Sequence, residues 1–413
     1  MPTSSRRVAI AGYGTAGQAC AILLARDGWS VDVFEQAPAT GPVGAGFLLQ
    51  PVGLQVLWEM GLLDAALAHG RRIDRLYGDT PRGRAVMDMR YGGLDARLFG
   101  LGMQRGALFA MLDHAWPGRE TIRLGHRIIA VSVDGRHVRD EQGREHGPYD
   151  LVIAADGSAS RLRAVVGKAR LDAPYPWGAL WCLLDEGDWP HVNELRQRYR
   201  AARRMIGMLP VGTRPDDPVP RVSFFWSLRA DRFGRWQDEG IATWRNEVVA
   251  LWPEVAPHVG TIGDCAQLAR ARYRDVVLRD WHRGRLVLVG DAAHAMSPQL
   301  GQGVNMALLD ALALRDALRT HGHIEAALAA YQHERRRHVR IYQFWSRWLT
   351  PLFQSERDVL AGLRDLAFAP MGRLPGSRGQ MLHVLSGTRL GAFGRLRLPP
   401  AFLAELGKCA SLG

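Results

Sequence analysis

The feature that most constrains this sequence is a glycine-rich segment late in the chain, between an apolar run and a helical run. Residues 285–289 are short, apolar and β-branched, which predicts a buried parallel strand. The polar segment 290–305 follows, and residues 306–320 have a helical pattern. A strand, a turn and a helix in this order indicate an open α/β sheet, in which ligands bind at the carboxyl ends of the strands.

The residues of this turn suit contact with a flat ligand. Asp291 leaves the strand with a charge that can accept hydrogen bonds from ligand hydroxyls. Pro298 stiffens the loop, and Gly301 and Gly303 lack the side chains that would keep a ligand away from the backbone. The helix predicted from near Val304 points its positive end at the same place, which favours negative charge on the ligand.

A second ligand motif opens the chain. It consists of a strand, a turn, a helix and a second strand, at residues 7–11, 12–17, 16–27 and 30–34. Gly12 permits the tight turn, Gly14 lets a pyrophosphate approach the helix, and Gly17 lets the helix pack closely on the strand. Glu35 follows the second strand and can accept hydrogen bonds from both ribose hydroxyls. The motif predicts an adenine dinucleotide without a 2′-phosphate, which means NAD or FAD.

Three further positions are typical of ligand-binding turns. A predicted buried strand ends at Asp156-Gly157. Gly44 and Gly46 belong to a glycine-rich turn, for which a plain connecting loop is the simpler interpretation. Arg105 belongs to residues 103–108, which start a short predicted helix running to about Trp116; it suits a phosphate and is equally well explained as part of a solvated helix face.

Composition excludes several classes of protein. The chain has 413 residues, 47% of them hydrophobic, which is enough for a full core and predicts two domains. Its four cysteines are scattered, so no metal site is expected. The formal charge of +12 comes almost wholly from arginine, without a basic tract interleaved with aromatic residues, so we expect no nucleic-acid partner. No apolar run has the length of a transmembrane segment and no signal peptide is recognisable, which predicts a cytoplasmic protein.

The three motifs, at residues 12–17, 156–157 and 290–294, occur in the order and spacing of a known family. Over about residues 6–350 the chain resembles the single-component FAD-dependent monooxygenases, the para-hydroxybenzoate hydroxylase-like aromatic hydroxylases. The resemblance implies FAD as cofactor and NADH or NADPH as a transient hydride donor. It also implies hydroxylation or epoxidation through a flavin C4a-hydroperoxide, with oxygen and a small aromatic, quinone-like or polyketide-like molecule as partners.

The resemblance gives each motif a role on the cofactor. Arg105 would contact the ribityl-phosphate region, Asp291 would bind the ribityl chain, and Asp156 would support the cofactor. The loop from Pro298 to Asn305 would line the isoalloxazine ring, but no catalytic residue is assigned beyond the flavin-lining Pro298, Gly301 and Gly303. The implied cofactor-binding set is Gly12, Gly14, Gly17, Glu35, Gly44, Gly46, Arg105, Asp156, Gly157, Gly290, Asp291, Gly301, Gly303, Val304 and Asn305.

The implied fold is a Rossmann-like α/β FAD-binding domain with an inserted β-sheet substrate domain and a helical C-terminal region. The FAD-binding domain is expected at residues 1–75, 98–172 and 278–350, the substrate domain at 76–97 and 173–277, and the extension at 351–413. Pro351 is expected to end a long helix that starts at Ile324. The extension is apolar and basic, so weak contact with a membrane surface is one hypothesis for it.

The substrate domain supplies the predicted pocket, because its apolar residues recur at a period of two. The pocket residues proposed on this basis, with two from neighbouring segments, are Gln50, Trp181, Met208, Phe224, Trp226 and Pro298. Packing beneath the sheet explains the aromatic residues equally well, since any half-buried strand shows this period.

Two other functions stay open at the level of sequence. An FAD-dependent reductase or dehydrogenase acting on an activated alkene or enone would use the same fold and cofactor site. A basic binding protein without turnover would use the fold alone, and salt-sensitive retention of nucleic acid without flavin would favour it. His294 is interpreted as structural. No motif identifies the substrate, the base that activates it, the nicotinamide donor or the oligomeric state.

Overall fold

The computed structural model describes residues 6–41 and 44–410. The first part of the chain alternates strands and helices, and the apolar residues of its first strand are buried on both faces. Its elements are β1 (Arg7–Ala11), α1 (Thr15–Arg26), β2 (Ser30–Glu35), β3 (Gly46–Leu49), α2 (Pro51–Glu59), α3 (Leu63–His69), β4 (Arg71–Ile73), β5 (Arg75–Asp79), β6 (Ala85–Arg90), β7 (Gly100–Gln104) and α4 (Arg105–Ala115).

The middle part is mostly β-structure. Its elements are β8 (Ile122–Leu124), β9 (Ile128–Val131), β10 (Val138–Asp140), β11 (Glu145–His146), β12 (Leu151–Ala154), α5 (Arg163–Val166), β13 (Leu171–Asp185), β14 (Glu194–Arg200), β15 (Arg204–Arg214), β16 (Asp217–Arg229), α6 (Phe233–Leu251), α7 (Ala256–Val259) and β17 (Ala269–Val277). Helix α6 is broken at Gly240, where φ is +79°.

The last part is mainly helical. Its elements are β18 (His282–Arg283), β19 (Leu286–Leu288), α8 (Asp291–His294), α9 (Gly303–Thr320), α10 (Ile324–Phe353), α11 (Asp358–Arg373), α12 (Pro375–Leu385), β20 (Arg389–Leu390), β21 (Gly394–Arg395) and α13 (Pro400–Ala410). The expectation that Pro351 ends the long helix is wrong, since α10 continues to Phe353. The Phe353 ring packs 5.2 Å from that of Tyr199, and this tertiary contact holds the last turn in place.

Two large sheets organise the molecule. The first has the order β18-β19-β12-β1-β2-β8, and all neighbours in it are parallel except β18 and β19. The second has the order β17-β13-β16-β15-β14-β5-β6 and is antiparallel apart from the pair β14 and β5. Helix α1 packs on the parallel sheet, α9 packs against α1, and α6 covers one face of the second sheet. The predicted α/β architecture with an inserted β-sheet and a helical C-terminal region is confirmed.

Candidate functional site

Four strands of the parallel sheet bring their carboxyl ends to one edge. In this sheet β1 lies between β2 and β12, and β12 lies beside β19. Gly12 follows β1, Glu35 ends β2, Asp156 comes shortly after β12, and Asp291 comes shortly after β19. Parallel strands end at a common edge, so the segments that lie far apart in the sequence meet there.

The glycines of the first turn are needed for two different reasons. A Cβ on Gly12 would lie 2.4 Å from the carbonyl oxygen of Ala155, and one on Gly17 would lie 2.0 Å from the carbonyl oxygen of Gly12. These two glycines are therefore required by packing within the protein. A Cβ on Gly14 would have no neighbour within 4 Å, and the start of α1 has no side-chain cap. The open space in front of Gly14 suits an anionic group on the helix N-terminus.

That space continues as a cleft of about 430 Å³. Glu35 lies on the cleft, where its Oε2 accepts a hydrogen bond from the Tyr13 N–H at 2.8 Å and its Oε1 accepts one from the Ala37 N–H at 2.9 Å. The two bonds orient the carboxylate, and each oxygen keeps a lone pair for another donor. This geometry suits ribose hydroxyls.

Asp156 and Gly157 line the same cleft. The Asp156 Oδ2 accepts a hydrogen bond from the Arg161 N–H at 3.0 Å, whereas its buried Oδ1 has no hydrogen-bond partner among the described residues. Burial raises the pKa of this carboxyl group, against the effect of its hydrogen bonds. A buried polar atom without a partner is costly, so Asp156 Oδ1 is suited to receive a donor from a ligand.

Arg105 also lines the cleft, with its guanidinium carbon 5.7 Å from the centre of the Phe47 ring. The side chain is accessible from the cleft, yet the surrounding protein desolvates it and lowers its pKa, while the charges of Asp291 and Tyr273 act in the opposite direction. Gly44 makes room for it, since a Cβ there would lie 2.9 Å from the Arg105 Cδ. Within the described residues Arg105 has no ion-pair partner at salt-bridge distance, so an anionic ligand would complete its environment.

A buried charge network holds the late turn. Gly290 leaves β19 with a φ of +59° and donates its N–H to Asp310 at 2.8 Å. The same carboxylate accepts hydrogen bonds from His294 at 2.6 Å and from the Arg335 Nε at 2.8 Å. Burial by itself would raise the pKa of Asp310, but His294 and Arg335 outweigh it and hold the pKa at about 2. The network fixes the turn that presents the exposed carboxylate of Asp291.

The loop after this turn has open space beside its glycines and is anchored to the protein by the side chain of Asn305. Gly301 has a φ of +60°, and a Cβ on Gly301 or Gly303 would meet nothing within 4 Å. Asn305 is buried, accepts a hydrogen bond from the Gln50 N–H at 2.8 Å and donates to the carbonyl oxygens of Leu48 and Gly301, both at 3.2 Å. The Asn305 side chain thus anchors the loop to α2 and β3. Pro298 begins a 3-10 turn at the front of the loop, and Val304 is half-buried.

Two other predicted residues serve the packing around this loop. A Cβ on Gly46 would lie 2.6 Å from a methyl carbon of Val211 and 2.7 Å from the Ser223 Cβ. Gly46 therefore lets β3 approach the second sheet. Gln50 is buried, and its Oε1 accepts a hydrogen bond from the Tyr91 hydroxyl at 2.6 Å.

The sequence also matches a family model described as an FAD binding domain, over residues 5–343. The chain belongs to this family. It is an FAD-dependent oxidoreductase of the para-hydroxybenzoate hydroxylase-like monooxygenases. The residues fit the cofactor on their own geometry, because the open space at Gly14, the unpartnered oxygen of Asp156 and the desolvated cation of Arg105 each lack a complement that FAD would supply.

Known relatives are similar over most of the chain. The aurachin C monooxygenase/isomerase of Stigmatella aurantiaca is 30% identical over 340 residues, which cover 79% of this chain and 84% of that protein. The 6-hydroxynicotinate 3-monooxygenase of Bordetella bronchiseptica is 29% identical over 320 residues, which cover 75% of this chain and 81% of that protein. HpxO of Klebsiella pneumoniae, solved with FAD and uric acid, superposes with a TM-score of 0.78 at 22% identity, over 94% of this chain and 98% of that one. Among the helices described, none combines the length and apolar character needed to cross a bilayer.

The predicted pocket residues of this flavoenzyme lie on opposite faces of the second sheet. Met208, Phe224 and Trp226 are buried beneath α6, where the Phe224 and Trp226 rings lie 5.7 Å and 6.3 Å from that of Trp244. The expectation that these three residues line the substrate pocket is wrong. Met208 pairs with Phe224 across β15 and β16, so the register directs their side chains to the same, covered face.

Trp181 lies on the other face, against residues that the sequence did not single out. It pairs with Phe225, whose ring centre is 5.0 Å away, and its Nε1–H donates to the Tyr273 hydroxyl at 2.9 Å. Burial raises the pKa of Tyr273 to about 12, although the bond from Trp181 and the charge of Arg105 lower it. Tyr273 therefore lies within electrostatic reach of Arg105, which lines the cleft. Phe225 stands one residue out of phase with the predicted Phe224 and Trp226, and Tyr273 lies on β17, where no pocket residue was predicted. Only the strand register separates the two phases of β16.

A histidine pair, of which His126 lines the cleft, has the composition of a metal site. The nitrogens of His126 and His146 and a carboxylate oxygen of Asp140 lie within 4.8 Å of one another. The Asp140 Oδ2 already accepts from both imidazoles, at 2.8 Å and 3.0 Å, and pairs with Arg144 at 3.3 Å. Because the guanidinium disfavours a cation, we interpret the cluster as support for Phe34, whose ring lies 4.9 Å from that of His146 and lines the cleft.

Proposed function

We propose that this enzyme hydroxylates or epoxidises a small aromatic, quinone-like or polyketide-like substrate, using oxygen and FAD that NADH or NADPH has reduced. The observation that carries the proposal is the aromatic cluster of Trp181, Phe225 and Tyr273 within electrostatic reach of Arg105. Flat rings with one polar group suit a flat, electron-rich substrate. Relatives whose names specify 6-hydroxynicotinate and kynurenine as substrates support the aromatic class.

The proposed cofactor contacts follow from the groups that lack partners. Gly14 and the N-terminus of α1 receive the pyrophosphate, Glu35 receives the adenosine ribose, and Asp291 receives the ribityl hydroxyls. Arg105 neutralises negative charge near the ribityl phosphate. The backbone from Gly301 to Gly303 faces the isoalloxazine, and bound FAD supplies oxygen activation at its C4a carbon.

We also propose the division into an FAD-binding domain at residues 1–75, 98–172 and 278–350 and a substrate domain at 76–97 and 173–277. The two large sheets support it, because β5, β6 and β13 to β17 all belong to the second sheet. The third unit is the extension at residues 351–413.

Tyr273 is the best candidate to orient the substrate. Its hydroxyl oxygen accepts from Trp181, which leaves its own proton to donate. With its pKa raised to about 12, the phenol stays neutral well above pH 7, so Tyr273 acts as a hydrogen-bond donor and not as a base. A substrate carbonyl or phenolate oxygen is the acceptor that this arrangement favours.

The test is rapid-mixing absorbance of the FAD-loaded enzyme. The flavin is reduced anaerobically with NADH or NADPH, then mixed with oxygen in the presence of candidate aromatics, and product is analysed after reaction in ¹⁸O₂. We expect one labelled oxygen atom in the product and a transient flavin spectrum during reoxidation. A series of aromatics that yields no labelled product, with turnover of an enone acceptor in the absence of oxygen, would instead identify a reductase.

The cofactor assignment has its own test. Asp291→Ala should purify with less FAD and bind added FAD more weakly, while its far-ultraviolet circular dichroism stays unchanged because the side chain is exposed. Asp238→Ala is the matched control, since it removes an exposed aspartate from α6. Full flavin occupancy in the Asp291 variant would contradict the assignment.

A further inference from the structure

Helix α11 presents an apolar face to solvent. Val359, Leu363, Leu366, Met371 and Leu374 are exposed by 78%, 56%, 58%, 43% and 60%. Val359, Leu363 and Leu366 follow one another at spacings of four and three residues, which keeps them on one side of the helix, and Met371 and Leu374 continue the apolar surface at its carboxyl end. Every exposed side chain described between residues 359 and 371 is apolar or glycine. Monomeric proteins seldom leave such a continuous apolar surface without a partner.

The inner face of α11 shows that this orientation is a property of the fold. The Arg364 side chain is fully buried, donates to the Leu352 carbonyl oxygen at 2.9 Å and pairs with Asp365 at 2.6 Å. Its guanidinium carbon lies 5.1 Å and 4.9 Å from the ring centres of Tyr199 and Phe353. The helix therefore directs its arginine inward and its leucines outward, the reverse of an ordinary surface helix.

The charges around this face indicate what covers it. Acidic groups near α11 have cationic partners, since Glu356 pairs with Arg229 at 3.6 Å and with Arg232 at 3.5 Å. The exposed residues Arg357 and Arg378 lie at the start of α11 and on α12. The rim of the apolar face is therefore positive, in a chain of formal charge +12. A second copy of the chain would bring two positive rims together, whereas an anionic surface complements them.

The preceding helix carries a related pattern. Phe344 and Trp348 are exposed on α10 one turn apart, next to the exposed Arg340 and Arg347. Exposed aromatic residues with arginines are typical of segments that lie at a lipid–water interface.

We propose that the outer face of α11 docks on an anionic lipid bilayer surface, with its leucines in the headgroup boundary and the flanking arginines on the phosphates. The contact is peripheral, and it does not depend on which substrate the enzyme uses.

The experiment is cosedimentation of the full-length, FAD-loaded protein with vesicles of phosphatidylcholine, with and without phosphatidylglycerol, at low and high salt. We expect sedimentation with the anionic vesicles that weakens with salt. The variant Leu363→Ser/Leu366→Ser should bind at least about tenfold more weakly, because it removes two of the anchoring side chains. The control Val133→Ser/Phe393→Ser removes two apolar residues elsewhere that are even more exposed, and it should bind as the parent does.

Three results would overturn the proposal. The first is an absence of binding to anionic vesicles by the parent protein. The second is equal binding by the Leu363/Leu366 variant, with flavin content as the check on its folding. The third is a self-association of the parent that this variant abolishes without any vesicle binding, which would identify the face as a subunit interface.

Discussion

Replacing Asp310 by asparagine tests whether the buried charge network holds the turn at Gly290. The carboxylate is fully buried and neutralises Arg335, which is itself buried, while it also accepts from His294 and the Gly290 N–H. Asparagine keeps the shape and one acceptor but removes the charge. The substitution therefore leaves a guanidinium without its counter-charge in the interior.

The expected cost follows from that unpaired charge. Removing one partner of a buried ion pair destabilises a protein by about 3 to 5 kcal/mol. The pKa of about 2 gives a second scale, because a shift of about two units corresponds to about 2 to 3 kcal/mol. The larger figure applies, since the asparagine amide also directs a donor into a site that already holds three donors.

The assay is thermal unfolding of the FAD-free protein, followed by titration with FAD. We expect Asp310→Asn to lower the Tm by about 3 to 6 °C, which is the cost of about 3 to 5 kcal/mol divided by the unfolding entropy of a chain of 413 residues. We also expect it to weaken FAD binding, because the turn before Asp291 is no longer held. Asp316→Asn is the control on the same helix, where a side chain 53% exposed pairs with Arg315 and should contribute less than about 1 kcal/mol. An Asp310 variant as stable as this control would refute the reasoning.

Three further predictions follow from the same geometry. Gly14→Ala should weaken FAD binding without lowering the Tm of the FAD-free protein, whereas Gly17→Ala should lower that Tm. The reason is that, of the two, only a Cβ on Gly17 meets protein atoms, at 2.0 Å from a carbonyl oxygen. Calorimetry and FAD titration separate the two effects, and equal Tm values for the two variants would contradict the packing argument. The folded pKa of Asp310 lies below its unfolded value, so the stability that the carboxylate contributes is present above about pH 4 and is lost as the pH falls toward 2. The melting temperatures of the parent and of Asp310→Asn should therefore converge as the pH falls over this range. A constant difference between them would contradict the lowered pKa of Asp310. Trp181→Phe should change KM and product distribution with little loss of stability, whereas Trp226→Phe should lower the Tm and leave KM and product distribution nearly unchanged. Steady-state kinetics and thermal melts of both variants measure these effects.

The local motifs could be predicted from the sequence because the geometry of each depends on a few consecutive residues. A turn that approaches a pyrophosphate needs glycine at fixed offsets after a strand, and residues 12–17 meet that need. The same holds for the strand ends at Asp156 and Asp291. Since parallel strands end at a common edge, recognising three strand-turn units was enough to predict that they meet.

The substrate face could not be predicted in this way. Trp181 and Trp226 belong to strands with the same alternating pattern, and their positions relative to the cofactor depend on the pairing of β13 with β16. A shift of one residue in that register exchanges the two faces of a strand. Tyr273 reaches Trp181 from a strand 92 residues away, so no local signal joins them.

The sequence by itself determined the α/β fold class, the FAD motifs and their order, because these depend on short-range backbone requirements. Tertiary structure alone decided which aromatic residues lie on each face of the second sheet, that Arg105 is desolvated in the cleft, that Asp310 binds the Gly290 turn, and that α11 directs its leucines outward. Each of these is a contact between distant segments. The energy of such a contact depends on burial and on the distance between charges, and neither quantity is defined until the chain has folded.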